Sequence, residues 1–229
     1  MPNPDSQTLK PRNAVPESAR RRPRSQEERR SATIAKLTDA AIEALVALGY
    51  AKASTNEICQ RAGVSQGALF RHFPTRGDFM THVADEVRSR LVGDFESRYF
   101  SDERLPDDPI ERGVRFTREI CHSQMAKAWF ELVMASRTDE TLQDKMSVVL
   151  YESRQWIREA ALKVFPDMVQ DRERFHALVD AVVMIFDMES IYAHLDRDEA
   201  AAERRLEFAI GCYRQFFIDQ EARRSIDTR

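Results

Sequence analysis

The stretch TNEICQRAGVSQGALFRHF, residues 55–73, decides the fold because glycine interrupts its helical pattern twice within five residues. A short helix is predicted from about Thr55 to Gly63, since glycine commonly follows the end of a helix. Ser65 is a suitable N-cap for a second short helix that continues to about His72. Two short helices joined by a tight turn are typical of a helix-turn-helix unit, whose second helix enters the major groove of DNA.

The rest of the chain also has a helical pattern. Apolar residues recur at three- and four-residue steps from about Glu27 to Leu48, and Gly49 stands where that helix would end. Pro74 stops the second short helix. Longer helices are predicted at about 75–100, 108–123, 126–137 and 139–164, followed by one that reaches about residue 195 and a last one after it. With 7 glycines in 229 residues, the sequence predicts an all-α protein.

Charge is divided unevenly along the chain. The net charge is −3, but residues 1–80 carry +5 and residues 81–229 carry −8. A basic N-terminal third indicates an anionic partner at that end, most commonly nucleic acid. Residues 1–26 mix prolines with polar residues and are predicted to form a disordered basic tail, which contains Arg20, Arg21, Arg22 and Arg24. These arginines either contact the DNA backbone or remain solvated.

The cysteine positions favour a reducing compartment, and the hydropathy favours a soluble protein. Cys59, Cys121 and Cys212 are far apart and form no metal-ligand spacing, which favours free thiols. No apolar run approaches the roughly 18 residues that a membrane helix requires. We therefore expect a soluble cytoplasmic protein without a metal ion or other cofactor.

Residues 55–83, TNEICQRAGVSQGALFRHFPTRGDFMTHV, resemble the DNA-binding signature of the TetR family of bacterial transcriptional regulators. The shared features are the AGVS turn, the following Gly, Leu, aromatic, His and Phe positions, and a basic residue a few positions later, and the match spans about residues 30–83. The resemblance implies a TetR-like all-α fold, with a three-helix DNA-binding domain in residues 27–74 and a larger ligand-binding and dimerisation domain in residues 75–229. It also implies a homodimer that represses transcription at a palindromic operator in double-stranded DNA and is released by a small-molecule effector.

DNA contacts are implied by the same resemblance. Thr55 would bind phosphate, and Gln66 is the best candidate for reading a base, because its amide can pair with adenine in the major groove. Phe70 takes a position that is often tyrosine in the family, and it lacks the hydroxyl that would reach a phosphate. His72 would either contact DNA or simply end its helix. The predicted DNA-binding residues are Arg29, Arg30, Thr55, Ser65, Gln66, Gly67, Ala68, Phe70, His72 and Arg76.

Apolar stripes on the last two predicted helices indicate an interface with a second copy, because such stripes are too apolar for the solvent face of a monomer. In the resembled family these helices pair across a two-fold axis in a four-helix interface. The predicted interface residues are Val179, Val183, Phe186, Leu206, Ile210, Tyr213 and Phe217. A two-fold dimer also suits a palindromic operator, whose half-sites lie about 34 Å apart.

The middle helices are rich in aromatic and sulfur-bearing residues, which either line an adaptable ligand pocket or form ordinary core. Asp187 would favour a cationic ligand, or pair with an arginine, or face water, and His122 also needs a partner if it is buried. The candidate ligand-binding residues are Phe116, Cys121, His122, Met125, Trp129, Phe130, Met134, Tyr151, Trp156, Met184, Asp187 and Met188.

Two other functions fit the sequence less well. An enzyme would require a catalytic motif, and the chain has no Gly-rich phosphate loop, no GxSxG and no HExxH. Its five histidines show no metal-ligand spacing, so we expect no enzymatic activity. A redox sensor acting through Cys121 or Cys212 would require a stabilised thiolate, for which only the neighbouring His122 offers a charge.

Overall fold

The computed structural model describes residues 25–166 and 168–227, and all regular secondary structure in these residues is α-helical. The helices are α1 (Gln26–Leu48), α2 (Thr55–Ala62), α3 (Gln66–His72), α4 (Arg76–Arg98), α5 (Pro109–Cys121), α6 (Gln124–Ser136), α7 (Glu140–Val164), α8 (Arg172–Tyr192) and α9 (Glu199–Asp227). The predicted all-α fold is confirmed, and each predicted helix is found with ends shifted by a few residues at most. The predicted tail lies outside the described residues up to residue 24, including Arg20, Arg21, Arg22 and Arg24.

Side-chain caps fix the helix ends around the turn. The hydroxyl of Ser54 accepts a hydrogen bond from the backbone of α2, and that of Ser65 accepts one from the backbone of α3. Gly63 follows α2 with φ +62°, a left-handed conformation that glycine adopts without steric cost. Thr75 and Asp78 form a reciprocal capping box at the start of α4. These contacts are local in sequence, which is why the sequence predicts the boundaries of these helices closely.

One hydrophobic core joins the first three helices to α4, α6 and α7. Its fully buried large side chains are Leu37, Leu45, Ile58, Leu69, Phe79, Met80, Leu132 and Leu142. Because Leu132 lies on α6 and Leu142 on α7, this core crosses the predicted domain boundary between residues 74 and 75. Helices α1 to α3 are therefore stabilised by the larger helical region as well as by one another.

A second core lies among α5, α8 and α9 and is rich in aromatic rings. Phe165, Phe175, Tyr213 and Phe217 pack against one another with ring centroids 5.1 to 6.3 Å apart. Tilted and edge-to-face arrangements of this kind are favoured by the charge distribution of aromatic rings. The inner faces of α8 and α9 are therefore covered within the single chain.

The predicted dimer-interface residues take part in this second core. Val179, Phe186, Leu206, Ile210, Tyr213 and Phe217 are buried within the single chain, and Val183 is half-buried against them. The physical reason is that α8 and α9 must cover each other and α5, and their most apolar stripes do so. Apolar periodicity shows that a helix face is buried, but it does not show which chain buries it.

A buried carboxylate connects the three helices of the second core. Glu189 on α8 accepts hydrogen bonds from Nε of Arg118 on α5 at 2.6 Å and from Nε of Arg205 on α9 at 2.7 Å. Nε2 of His122 lies 3.1 Å from the same carboxylate. Burial acts to raise the pKa of Glu189, but hydrogen bonds from Arg205 and Arg118 outweigh it and hold the pKa below its ordinary value. The charged carboxylate thereby fixes the relative positions of α5, α8 and α9.

Candidate functional site

Helix α3 is held by one buried side chain and presents most of its surface to solvent. Leu69 is fully buried in the first core. The exposed residues on and just before α3 are Ser65, Gln66, Gly67, Phe70 and Arg71, and Ala68 is half-buried. A short helix with small and polar residues on its outer side has the shape required for a major groove.

The side chain of Gln66 is oriented by a neighbour on α2. Its Nε2 donates a hydrogen bond to Oδ1 of Asn56 at 3.2 Å, and both side chains are exposed. This contact leaves Oε1 and the second amide hydrogen of Gln66 free, and these are the groups that pair with N6 and N7 of adenine. Asn56 is not among the predicted DNA contacts, because its proximity to Gln66 arises only when α2 and α3 pack together.

The start of α2 and the first turns of α1 carry the predicted phosphate contacts. Thr55 is the first residue of α2 and is half-exposed. A helix N-terminus offers free backbone N–H groups and the positive end of the helix dipole, which favour a phosphate group. Arg29 and Arg30 are both exposed on α1. Contacts of this kind would supply affinity for the DNA backbone without reading its sequence.

His72 lies where α3 ends beside α1. Burial has the largest effect on the pKa of His72 and lowers it from 6.5, and the charges of Arg30 and Arg71 lower it further. The imidazole is therefore neutral at neutral pH, and the two nearby guanidinium groups favour this state. A phosphate bound at this place would favour the protonated imidazole.

Arg76 is held by the turn between α1 and α2 instead of pointing outward as a phosphate ligand would. Its Nη2 donates hydrogen bonds to the carbonyl oxygens of Tyr50 at 2.9 Å and Ala53 at 3.4 Å. The guanidinium also lies 4.0 Å from the centroid of the Tyr50 ring. A lysine would lack the planar group that stacks on the ring. The structure thus gives Arg76 a structural contact that the resemblance did not imply.

DNA binding is expected to take up a proton at His72. The pKa of His72 is lowered in the free protein, and a nearby phosphate would raise it, so the affinity for a duplex rises as the pH falls from about 8 to about 6. His72→Gln keeps a polar side chain that does not titrate, and its affinity should vary less over this range. Fluorescence anisotropy at constant ionic strength measures both proteins. An equal pH dependence in both would contradict this role.

The predicted ligand-binding residues fall into three groups by burial. Phe116 and Cys121 are buried. Half-buried are His122, Met125, Trp129, Phe130, Trp156 and Asp187, and exposed are Met134, Tyr151, Met184 and Met188. The four exposed residues face solvent in the single chain, and two of them, Met184 and Met188, line an open groove near the end of α8. The stripe that contains Met184 and Met188 lies on the outer face of α8.

An aromatic cluster surrounds Phe116 between α4, α5 and α7. Phe95 on α4 contacts Phe116 and Trp156 edge to face, each with ring centroids 5.5 Å apart. The ring of Tyr99 lies 5.6 Å from that of Phe116, and burial raises the pKa of Tyr99 to about 12. These rings form an apolar region in the middle helices.

Asp187 on α8 lies against the thiol of Cys121 on α5. Burial raises the pKa of Asp187 to about 6, and a hydrogen bond with Cys121 acts in the opposite direction. Burial also raises the pKa of the thiol well above its ordinary value, and the neighbouring carboxylate adds to this shift. Reactive cysteines require a stabilised thiolate, so this environment argues against Cys121 as a redox sensor. Within the single chain, the polar group next to Asp187 is therefore the thiol of Cys121.

An open groove of about 510 Å³ lies near the connection between α8 and α9. Its lining residues are Met184, Ile185, Met188, Glu189, Tyr192, Leu195, Asp196 and Arg205. Arg205 lies 2.7 Å from Glu189 and 3.4 Å from Asp196, so the charges at the base of the groove are paired. The apolar part of the groove belongs to the exposed face of α8.

The described residues contain neither a metal-binding cluster nor a helix suited to a membrane. Among residues 25–166 and 168–227, no group of three or more His, Cys, Asp or Glu side chains is arranged to hold a metal ion. No helix in this part of the chain combines the length and the hydrophobicity that crossing a bilayer requires.

Asp187→Asn is expected to raise the free energy of unfolding at about pH 8 by about 1 to 3 kcal/mol, because the folded state no longer buries a charge. The folded protein holds the pKa of Asp187 at about 6, above the unfolded value of 3.8, so wild type is stabilised as the pH falls through that interval. The advantage of the variant should therefore shrink toward about pH 4. Urea denaturation at both pH values measures it, and a difference independent of pH would contradict the assignment.

Comparisons with known proteins agree with the geometry of the first three helices. Residues 37–83 match the family described as bacterial regulatory proteins, tetR family. Over 166 residues the chain is 36% identical to an uncharacterized HTH-type transcriptional regulator of Mycobacterium tuberculosis, a match that covers 72% of this chain and 84% of that relative.

Solved structures share the fold along most of the chain. A protein of Mesorhizobium loti described as a TetR-family transcriptional regulator superposes with a TM-score of 0.61 at 15% identity, covering 81% of this chain and 96% of that one. The multidrug binding protein EbrR, solved with imidazole, superposes with a TM-score of 0.54 at 22% identity, covering 77% and 93%. At such identities these likenesses show the fold alone.

Proposed function

Because the chain belongs to the TetR family of bacterial transcriptional regulators, we propose that it is a dimeric cytoplasmic repressor released from a palindromic operator by a small-molecule effector. The exposed surface of α3 is the observation that carries this proposal. Leu69 holds α3 in the core, while Gln66 faces outward and is oriented by Asn56. Phosphate contacts from Thr55 and Arg30 would position α3, and Gln66 would read sequence.

A second copy is proposed to pack on the faces that α8 and α9 leave exposed. The large apolar side chains exposed on or next to these helices are Met184, Met188, Tyr192, Leu195, Phe208 and Ile218. So many exposed apolar residues on adjacent helices indicate an interface. Gly211 lies on the same face of α9 between Phe208 and Ile218, and a Cβ at this position would meet nothing in the single chain. A two-fold axis here would present two α3 helices to successive major grooves, about 34 Å apart.

The effector is proposed to bind among α5, α6, α7 and α8. Phe116 and Trp156 would supply apolar surface, and Asp187 would favour a cationic group. EbrR is described as a multidrug binding protein, which supports a small-molecule site in this fold. The effector would act by preferring a conformation that separates or twists the two α3 helices. Its effect on operator affinity cannot exceed its difference in affinity for the two conformations.

Sequence reading by Gln66 is testable with duplexes that tile the DNA upstream of the protein's own gene. One palindromic duplex is expected to bind more tightly than the others in fluorescence anisotropy. Gln66→Ala should reduce discrimination at one base pair of each half-site by about 1 to 3 kcal/mol. Asn56→Ala should have a smaller effect in the same direction, because it only orients Gln66.

Arg71→Ala is the matched control for this experiment, since Arg71 is exposed on the same helix. It should weaken binding to all duplexes alike and reduce the slope of log affinity against log salt concentration by about one. Uniformly weak binding of wild type to every duplex would contradict the repressor proposal at this locus. An unchanged sequence preference in Gln66→Ala would contradict the proposal that Gln66 reads a base pair of the operator.

Dimerisation through the exposed face is tested by Phe208→Glu, which places a charge on that face. Because Phe208 is 64% exposed in the single chain, the variant should fold normally but sediment as a monomer and lose affinity for the full palindrome. Val148→Glu is a matched control, because Val148 is 58% exposed on α7, outside the proposed interface. A Phe208→Glu protein that remains dimeric would show that the copies pair elsewhere.

A further inference from the structure

The turn between α1 and α2 contains a glycine with two structural requirements. Gly49 has φ +77°, a conformation that other residues rarely adopt. A Cβ on Gly49 would also lie 3.1 Å from Oε2 of Glu131, which is tighter than nine in ten real Cβ contacts. Glu131 belongs to α6, far along the chain from the turn. The turn is therefore shaped to admit a side chain from the larger helical region.

Glu131 makes a specific hydrogen bond with this turn. Its Oε2 accepts a hydrogen bond from the backbone N–H of Tyr50 at 2.8 Å, in a half-buried position. A hydrogen bond to a charged acceptor is stronger than one between neutral groups, and partial burial strengthens it further. The contact joins α6 to the backbone of the turn itself, so a side-chain rearrangement of Tyr50 would not release it.

Arg76 binds the other side of the same turn. Tyr50 thus has its N–H bound by Glu131 from α6 and its carbonyl oxygen bound by Arg76 from α4. Arg76 also reaches the carbonyl oxygen of Ala53, which immediately precedes the capping residue Ser54 of α2. The backbone that leads into α2 is consequently fixed by two charged side chains from α4 and α6.

We propose that Glu131 is a positioning residue, which holds α2 and α3 in the orientation required for DNA and connects them to α6. This inference rests on the proposed function and names a residue through which an effector could regulate it. Trp129 and Phe130, two of the half-buried candidates for effector contact, immediately precede Glu131 on α6. A displacement of α6 by an effector would move Oε2 of Glu131 away from the N–H of Tyr50. The backbone that leads into α2 would then lose its hydrogen bond to Glu131 and keep those to Arg76.

The test compares three substitutions in the full-length protein. Glu131→Gln keeps a carbonyl oxygen that accepts a hydrogen bond, Glu131→Ala removes the acceptor, and Glu159→Ala is a matched control exposed on α7. The probe is the duplex that wild type binds most tightly. Glu131→Ala is expected to bind this duplex about tenfold more weakly. Glu131→Gln should recover most of this loss, because it keeps the acceptor without the charge, and Glu159→Ala should remain within about twofold of wild type.

Amide hydrogen exchange of Tyr50 provides a readout that a general loss of stability would not reproduce. Exchange at this amide should accelerate in Glu131→Ala and be restored in Glu131→Gln, while buried amides of α6 exchange as in wild type. Thermal unfolding midpoints measured in parallel identify any general destabilisation. Recovery in Glu131→Gln would support the positioning role, because the glutamine restores the acceptor.

Two results would overturn the inference while leaving the proposed function intact. One is wild-type DNA affinity in Glu131→Ala, and the other is an affinity loss that Glu131→Gln does not recover. Failure of wild type to bind any duplex would instead overturn the proposed function, and the DNA-positioning role with it. In that case the exchange rate of Tyr50 would still report whether Glu131 holds the turn.

Discussion

The packing of α6 against α1 and α4 is the contact on which the rest of the structure depends. Leu132 on α6 is fully buried in the same core as Leu37 and Leu45 on α1. A unit of about 50 residues buries too little apolar surface to be very stable alone, and here α4, α6 and α7 supply the additional burial. Because a close-packed core transmits displacement, a movement of α6 also acts on the helices that face DNA.

The second core covers the inner faces of α8 and α9 and leaves their outer faces exposed. Their inner faces cover α5 and each other, and the charged network around Glu189 fixes the three helices. Their outer faces keep exposed apolar residues such as Met184 and Phe208, which are available to a second copy. The pair formed by Cys121 and Asp187 joins α5 and α8 close to the start of α6. The proposed effector region, the proposed dimer face and the DNA-binding unit are thus connected through neighbouring helices.

Features that depend on neighbouring residues could be predicted from the sequence, and features that depend on distant residues could not. Ser65 caps its helix as predicted, because a cap is set within one turn of the chain. The burial of Phe217 was predicted, but not that its own chain buries it, since periodicity carries no information about the covering partner. The contacts of Arg76 and Glu131 with Tyr50 arise only from tertiary packing, so no local pattern indicates them.

Native-state hydrogen exchange in low concentrations of denaturant tests the shared core most directly. If α1 to α3 depend on α6, the slowest amides near Leu45 and Leu132 should exchange with the same free energy and the same dependence on denaturant. This result would show that the DNA-binding unit and α6 unfold as one cooperative structure. Exchange of the α1 amides at a clearly lower free energy and with a smaller denaturant dependence would contradict it, because α1 to α3 would then open independently.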